Sequence, residues 1–296
     1  MGIVLIGIIR QYEVMHTQRR ALFLLIFLLM PLSLFSQLCY PIVGTYKGKS
    51  AQGMAIWGDN AYLFNDGGHC RVLNLKSGVV DGEFDLASAG KNNHVNAACF
   101  GNDMLVGNSI PLLYVSEYKE PSRCFVESIN DTSSVLVQTI QIQDKGKPVF
   151  VQSWILDRKN GFLYAIARTS PLKGTKTSSR VKISKYMLPS LSEGENIVLS
   201  ESDCLEHFFV EFASGTQGGV IKGKYMYLPT GLQESARGRF NAERFVQVID
   251  LKKRVLVKRI NLTYITTNEP EDMDFYKGKA LLYCGQEGGV YEIKLK

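Results

Sequence analysis

Glu269-Pro-Glu-Asp-Met-Asp-Phe-Tyr-Lys-Gly-Lys-Ala-Leu-Leu-Tyr-Cys-Gly-Gln-Glu-Gly-Gly-Val-Tyr-Glu-Ile-Lys-Leu-Lys296 is the stretch whose pattern decides the fold. It reads as three short strands: one ending near Tyr276, one over Ala280–Cys284 and one over Val290–Leu295. The turn Lys277-Gly278-Lys279 and the segment Gly285–Gly289 separate them. Alternating apolar residues between Gly-bearing turns are the pattern of an antiparallel meander.

The same unit recurs upstream. A strand, a tight turn and a second strand are read at Gly53–Phe64, Val95–Val106, Val151–Ile166 and Gly218–Leu228. The innermost turns fall at Gly58, Gly101, Gly223 and Gly278. A third strand follows each copy, at Arg71–Leu75, Cys124–Ile129, Arg180–Met187, Phe245–Leu251 and Val290–Leu295. A fourth follows the first four copies, at Val80–Leu86, Val135–Ile142, within Ile197–Phe212, and at Val255–Leu262. The last copy stops after its third strand, and Tyr40–Lys47 forms a spare strand before the first copy. Repeats of this length built from four strands are propeller blades, and a shared blade closes the ring. The prediction is an all-β, five-bladed β-propeller of four-stranded antiparallel blades over residues 37–296, closed by the N-terminal strand.

Residues 1–36 read as a signal peptide. Met15-His-Thr-Gln-Arg-Arg20 is a basic n-region, and Ala21–Phe35 is an apolar run of h-region length, with cleavage expected near Ser36/Gln37. The run is short for a bilayer span of about 20 residues. Met15 is a candidate true start. A periplasmic or secreted protein is therefore expected, with no membrane association after cleavage.

The formal net charge is +6. That is mildly basic and excludes a nucleic-acid-binding composition. Six cysteines, an even number, permit disulfides in an exported chain. Cys70, Cys99, Cys124 and Cys284 nevertheless sit in apolar strand patterns, where free Cys packs as a small hydrophobe. No zinc spacing, GxSxG elbow, HExxH, phosphate-binding loop or EF-hand loop occurs.

In a propeller, the loops joining strands one to two face one side and those joining two to three face the other. The one-to-two loops read as tight (GDN, GND, DRKNG, KGK, KGK) and the two-to-three loops of the middle blades as long: Ser116–Arg123, Arg168–Ser179 and Pro229–Arg244. Long loops on a rigid scaffold are where binding concentrates. They carry Lys119, Arg123, Arg168, Lys173, Lys176, Arg237, Arg239 and Arg244, a basic rim that suits an anionic ligand. The same face exposes the starts of the innermost strands: Gln52, His94 with Asn96, Gln152 with Trp154, Gln217, and Glu271 with Asp272. These are the candidate ligand-binding residues. Trp154 offers a stacking surface, and His94, Glu271 and Asp272 are the candidate acid–base groups or ligands of a divalent cation.

Three features resemble the secreted propeller proteins of Gram-negative envelopes: the leader ending Phe35-Ser-Gln37, Thr216-Gln-Gly-Gly219 before an inner strand, and Glu269–Lys279. The blade count is similar to that of arabinanase-type glycosidases and calcium-dependent apyrases. Those glycosidases use three separated acids around the axis, whereas here only the Glu271/Asp272 blade presents acids and the others present Gln or His. The expectation is a monomeric binding module for a carbohydrate or other small polar or anionic ligand. A hydrolase or lyase at the axial funnel is one alternative. A scaffold for an envelope protein partner is the other. No cofactor is expected beyond a possible divalent cation in the axial channel.

Overall fold

The chain divides into two units, Met1–Ser36 and Gln37–Lys296. A computed structural model describes residues 37–41, 51–90, 94–130, 132–171, 178–213, 215–231, 243–263, 265–285 and 289–295. Within the second unit the first strand, β1 (Gln37–Pro41), belongs to the last blade. Blade one is β2 (Ala51–Trp57), β3 (Asn60–Asn65), β4 (His69–Asn74) and β5 (Val80–Asp85). Blade two is β6 (Val95–Phe100), β7 (Leu113–Glu117), β8 (Cys124–Ile129) and β9 (Ser134–Asp144), extended by the short β10 (Lys147–Pro148). Blade three is β11 (Ser153–Asp157), β12 (Phe162–Pro171), β13 (Ser178–Met187) and, after the intervening β14 (Asn196–Leu199), β15 (Glu206–Ala213). Blade four is β16 (Val220–Lys222), β17 (Tyr225–Thr230), β18 (Phe245–Asp250) and β19 (Val255–Asn261). Blade five is β20 (Pro270–Tyr276), β21 (Lys279–Cys284) and β22 (Gly289–Ile293), with β1 outermost. The fold is the expected all-β, five-bladed propeller.

The core explains why the inner strands read as near-continuous apolar runs. A blade is covered on both faces, so both sets of alternating side chains are buried. Tyr62 and Phe64 of β3 face blade two, while Ala61 and Leu63 face blade five. Five apolar clusters result, one between each pair of neighbouring blades. The Tyr62 ring meets Phe100 edge-on at 5.1 Å between centroids, and burying each such ring contributes about 1.5–3 kcal/mol. The cluster joining Met54 and Leu63 to Leu281 and Tyr283 spans blades five and one, so the ring is closed by packing.

It is also closed by hydrogen bonding, because β1 pairs antiparallel with β22, Gln37 opposite Glu292 and Leu38 opposite Tyr291. The closing strand lies over Gln37–Pro41, ahead of the expected Tyr40–Lys47; residues 42–50 are outside the described residues.

Blade two departs from the expected hairpin. Its second strand is Leu113–Glu117, not Met104–Val106, and residues 101–112 form a long connection instead of a tight Gly101 turn. Met104 is half exposed, whereas Leu112 and Leu113 are buried. Gly101 is required for another reason: a β-carbon there would lie 2.7 Å from the Tyr114 ring. The Ile197–Phe212 stretch resolves into two strands of different blades. The β15 strand completes blade three, while β14 runs parallel to β9, Ile197 opposite Ile140, and covers the edge of blade two. An exposed edge is a pairing hazard, and here the neighbouring blade's connection blocks it.

Candidate functional site

The axis is organised by one carboxylate. The Asp272 Oδ2 accepts the backbone N–H of Met54 at 2.9 Å and of Ala98 at 3.0 Å. Its Oδ1 accepts from Gly219 at 2.7 Å and from Met273 at 2.8 Å. Three other blades thus meet blade five on one side chain. Burial pushes the Asp272 pKa up, and the four amides act against it. With both oxygens accepting twice, no lone pair remains for a proton, and the ionised form is the one this geometry holds. A β-carbon on Gly218 would overlap this carboxylate, which accounts for glycine there.

Two residues further along β20, Asp274 repeats the device. It accepts from Ile56 and Phe275 and pairs with Arg158 at 3.1 Å across the axis. The sequence placed Asp272 among the acid–base candidates; its carboxylate is instead committed to the backbone of the inner strands. Together Asp272 and Asp274 plug the middle of the ring.

That plug fixes the level of the other candidates. Gln52, Asn96 and Gln217 each lie two residues before an amide bound by Asp272, so all three stand about 6–7 Å nearer the long-loop face. Hydrogen bonds tie this ring together. Asn96 Nδ2 donates to the Gln152 carbonyl at 3.0 Å and to Ser153 Oγ at 2.8 Å, and Ser153 Oγ donates to the Gln217 carbonyl at 2.7 Å. The Gln152 amide donates to the Thr216 carbonyl, and Gln217 Nε2 donates to Glu269 Oε1 at 2.5 Å. Gln52, Asn96 and Gln152 are nearly buried, while His94, Gln217 and Glu269 are partly open to solvent. The result is a hydrogen-bonded polar ring on the long-loop side of Asp272, reached by solvent at His94, Gln217 and Glu269.

Among the described residues, several oxygens at this level have no hydrogen-bond partner: Gln52 Oε1, Gln152 Oε1, Glu271 Oε2 and Thr216 Oγ1. All four residues are at least nine-tenths buried. Glu271 is packed against Gly285, where a β-carbon would collide with its Oε1. Burial, with the nearby charges of Glu269, Asp272 and Asp66, raises the Glu271 pKa well above the ordinary carboxyl range; burial raises that of Glu269 as well.

Trp154 is only 1% exposed. Its indole N–H donates to the Ser122 carbonyl and its ring packs between blades two and three, so it offers no face to a ligand. Aromatic surface at the rim comes instead from residues that the sequence did not single out. The Tyr118 ring stands 5.4 Å from His94 and 5.5 Å from Phe150, and Tyr118 is 37% exposed. Its place in a two-to-three loop was the only signal.

The basic rim is weaker than expected. Arg123 is held by Glu117 at 2.8 Å and lies over Phe125, and Arg244 is fully buried. Lys173, Lys176, Arg237 and Arg239 lie outside the described residues, as does the side chain of Arg168. Among the described residues, no group of three or more His, Cys, Asp or Glu is arranged to hold a metal. Cys70, Cys99, Cys124 and Cys284 are buried free thiols, and Cys204 is a partly buried one.

No protein-family model matches the sequence, and no curated protein is a significant sequence match. Among solved structures the chain is similar to Raptor of Chaetomium thermophilum, with TM-score 0.42 and 10% identity. That alignment covers 83% of this chain and 20% of Raptor, so the chain spans about a fifth of the length of that protein.

Proposed function

We propose that the protein is a binding module whose axial funnel holds a small, neutral, hydroxyl-rich ligand, a carbohydrate being the class that fits. The observation that carries this reading is the set of buried oxygens, on Gln52, Gln152, Thr216 and Glu271, that have no partner among the described residues. An acceptor buried without a donor costs about 1–3 kcal/mol. A ligand rich in O–H donors would relieve that cost, and the exposed Tyr118 ring beside the funnel suits the apolar face of a sugar. The acids Glu269, Glu271 and Asp66 at the same level disfavour an anion there. The basic, apolar leader supports placing this site in the periplasm or the medium.

A second reading is favoured by the raised pKa values of Glu269 and Glu271. Neighbouring carboxyls whose pKa values are raised by burial are suited to general-acid chemistry, so a hydrolase acting on the same ligand class is the alternative.

A thermal-shift screen of neutral mono- and oligosaccharides, run on the wild type and on Tyr118→Ala, tests the first reading. The expected result is stabilisation by a subset of neutral sugars, reduced in the variant. Stabilisation by acidic sugars alone would contradict it. Sugar cleavage in the same samples would move the assignment to the second reading.

A further inference from the structure

The face opposite the funnel carries a second site. A cleft of about 680 Å³ opens between blades three and four, where the β11–β12, β16–β17 and β18–β19 turns converge. Five cations line it, Lys159, Lys185, Lys224, Lys252 and Arg254, against the two carboxylates of Asp157 and Glu206.

Both carboxylates are already committed. Glu206 is bridged by Lys185 at 3.3 Å and by Arg254 at 2.6 Å. Asp157 accepts from the backbone and side-chain amides of Asn160. Lys224 is held by Asp250 at 2.9 Å. Lys159 and Lys252 are exposed, and neither has an ion-pair partner among the described residues. The cleft therefore keeps a surplus of positive charge that no ion pair among the described residues neutralises.

The backbone adds an independent observation. Arg254 has φ +58°, a left-handed conformation that glycine adopts without cost. The other turn residues with this geometry beside the cleft, Gly161 and Gly223, are glycines. An arginine at this position is strained, and the conformation aims its guanidinium across the cleft at blade three.

We propose that this cleft binds a small phosphate-bearing molecule carrying at least two negative charges. Ammonium groups on flexible stems bind phosphate as point charges, and four of the five cations are lysines. Phe162 and Leu251, both partly exposed, supply apolar surface for the remainder of such a ligand. The site is separate from the axial funnel and takes an anion, the class that the funnel's acids disfavour.

Calorimetric titration of the whole protein with pyrophosphate at low ionic strength tests this, with citrate as the carboxylate control. Pyrophosphate is expected to bind, and to bind more tightly than citrate. Lys159→Glu combined with Lys252→Glu is expected to weaken binding at least about tenfold while the melting temperature stays within about a degree, because both side chains are exposed and unpaired. Gln52→Ala, in the funnel, is expected to leave the pyrophosphate affinity unchanged. No binding, equal binding of citrate, or an affinity unchanged in the double variant would overturn the proposal.

Discussion

The Asp272 carboxylate and the Gly219 amide, 53 residues apart in sequence, are joined by a 2.7 Å hydrogen bond at the centre of the ring. The same carboxylate also binds the amides of Met54 in blade one and Ala98 in blade two. The inner strands are thus joined through one side chain where, among the described residues, no strand-to-strand ladder connects them.

Asp272→Asn separates the charge from the shape. An asparagine keeps the volume but turns one oxygen into a donor, so two backbone amides would face an NH2 group. We expect a loss of about 2–4 kcal/mol in denaturant unfolding, from buried donors left without acceptors. A loss below about 1 kcal/mol would show that the carboxylate does not tie the blades.

Arg158→Ala leaves Asp274 buried without its cation. Asp274 is 4% exposed, so its charge would be compensated only by two amides. The expected cost is about 2–4 kcal/mol, short of a fully buried pair because Arg158 itself is partly exposed. Arg158→Ala with Asp274→Asn is expected to recover part of it, which a double-mutant cycle in urea would read.

Removing Gln37–Pro41 exposes the outer edge of β22. The junction of blades five and one would then rest on the Met54/Leu63/Leu281/Tyr283 cluster and on the Asp272 and Asp274 hydrogen bonds to Met54 and Ile56. A lower melting temperature and a tendency to associate through the freed edge are expected. Size-exclusion chromatography beside thermal unfolding checks both.

Glu271 sets a pH dependence. Its folded pKa is raised by burial and by neighbouring acids, so the folded state holds the proton more tightly than the unfolded chain. Between those two pKa values the folded state binds more protons, and stability falls as pH rises. The stabilisation is complete below about 4.5, the ordinary value, and is lost as pH climbs towards the raised one. Unfolding free energies measured from pH 4.5 upward should decline in the wild type and decline less in Glu271→Gln. Equal slopes would contradict the assignment.

Much of the fold is legible in the sequence because inter-blade packing repeats the same local pattern. The Gly58, Gly223 and Gly278 turns, each with φ near the left-handed region, mark hairpins that local chemistry alone determines. Gly101 misleads because its role is to make room for the Tyr114 ring, a contact set by tertiary packing. The parallel pairing of β14 with β9 is likewise a long-range choice that no local alternation encodes. At the site, the residue types at the inner-strand starts are readable, but their roles are not. Trp154 and Asp272 are buried by partners on other blades, and Tyr118 gains its position only from the fold.

The most direct test of the funnel is calorimetric titration of the best neutral sugar from the screen into wild type, Gln52→Ala and Gln152→Ala. The account predicts weaker binding in both variants, by about tenfold for each lost charge-neutral hydrogen bond in a desolvated site. An affinity unchanged in both variants would contradict it.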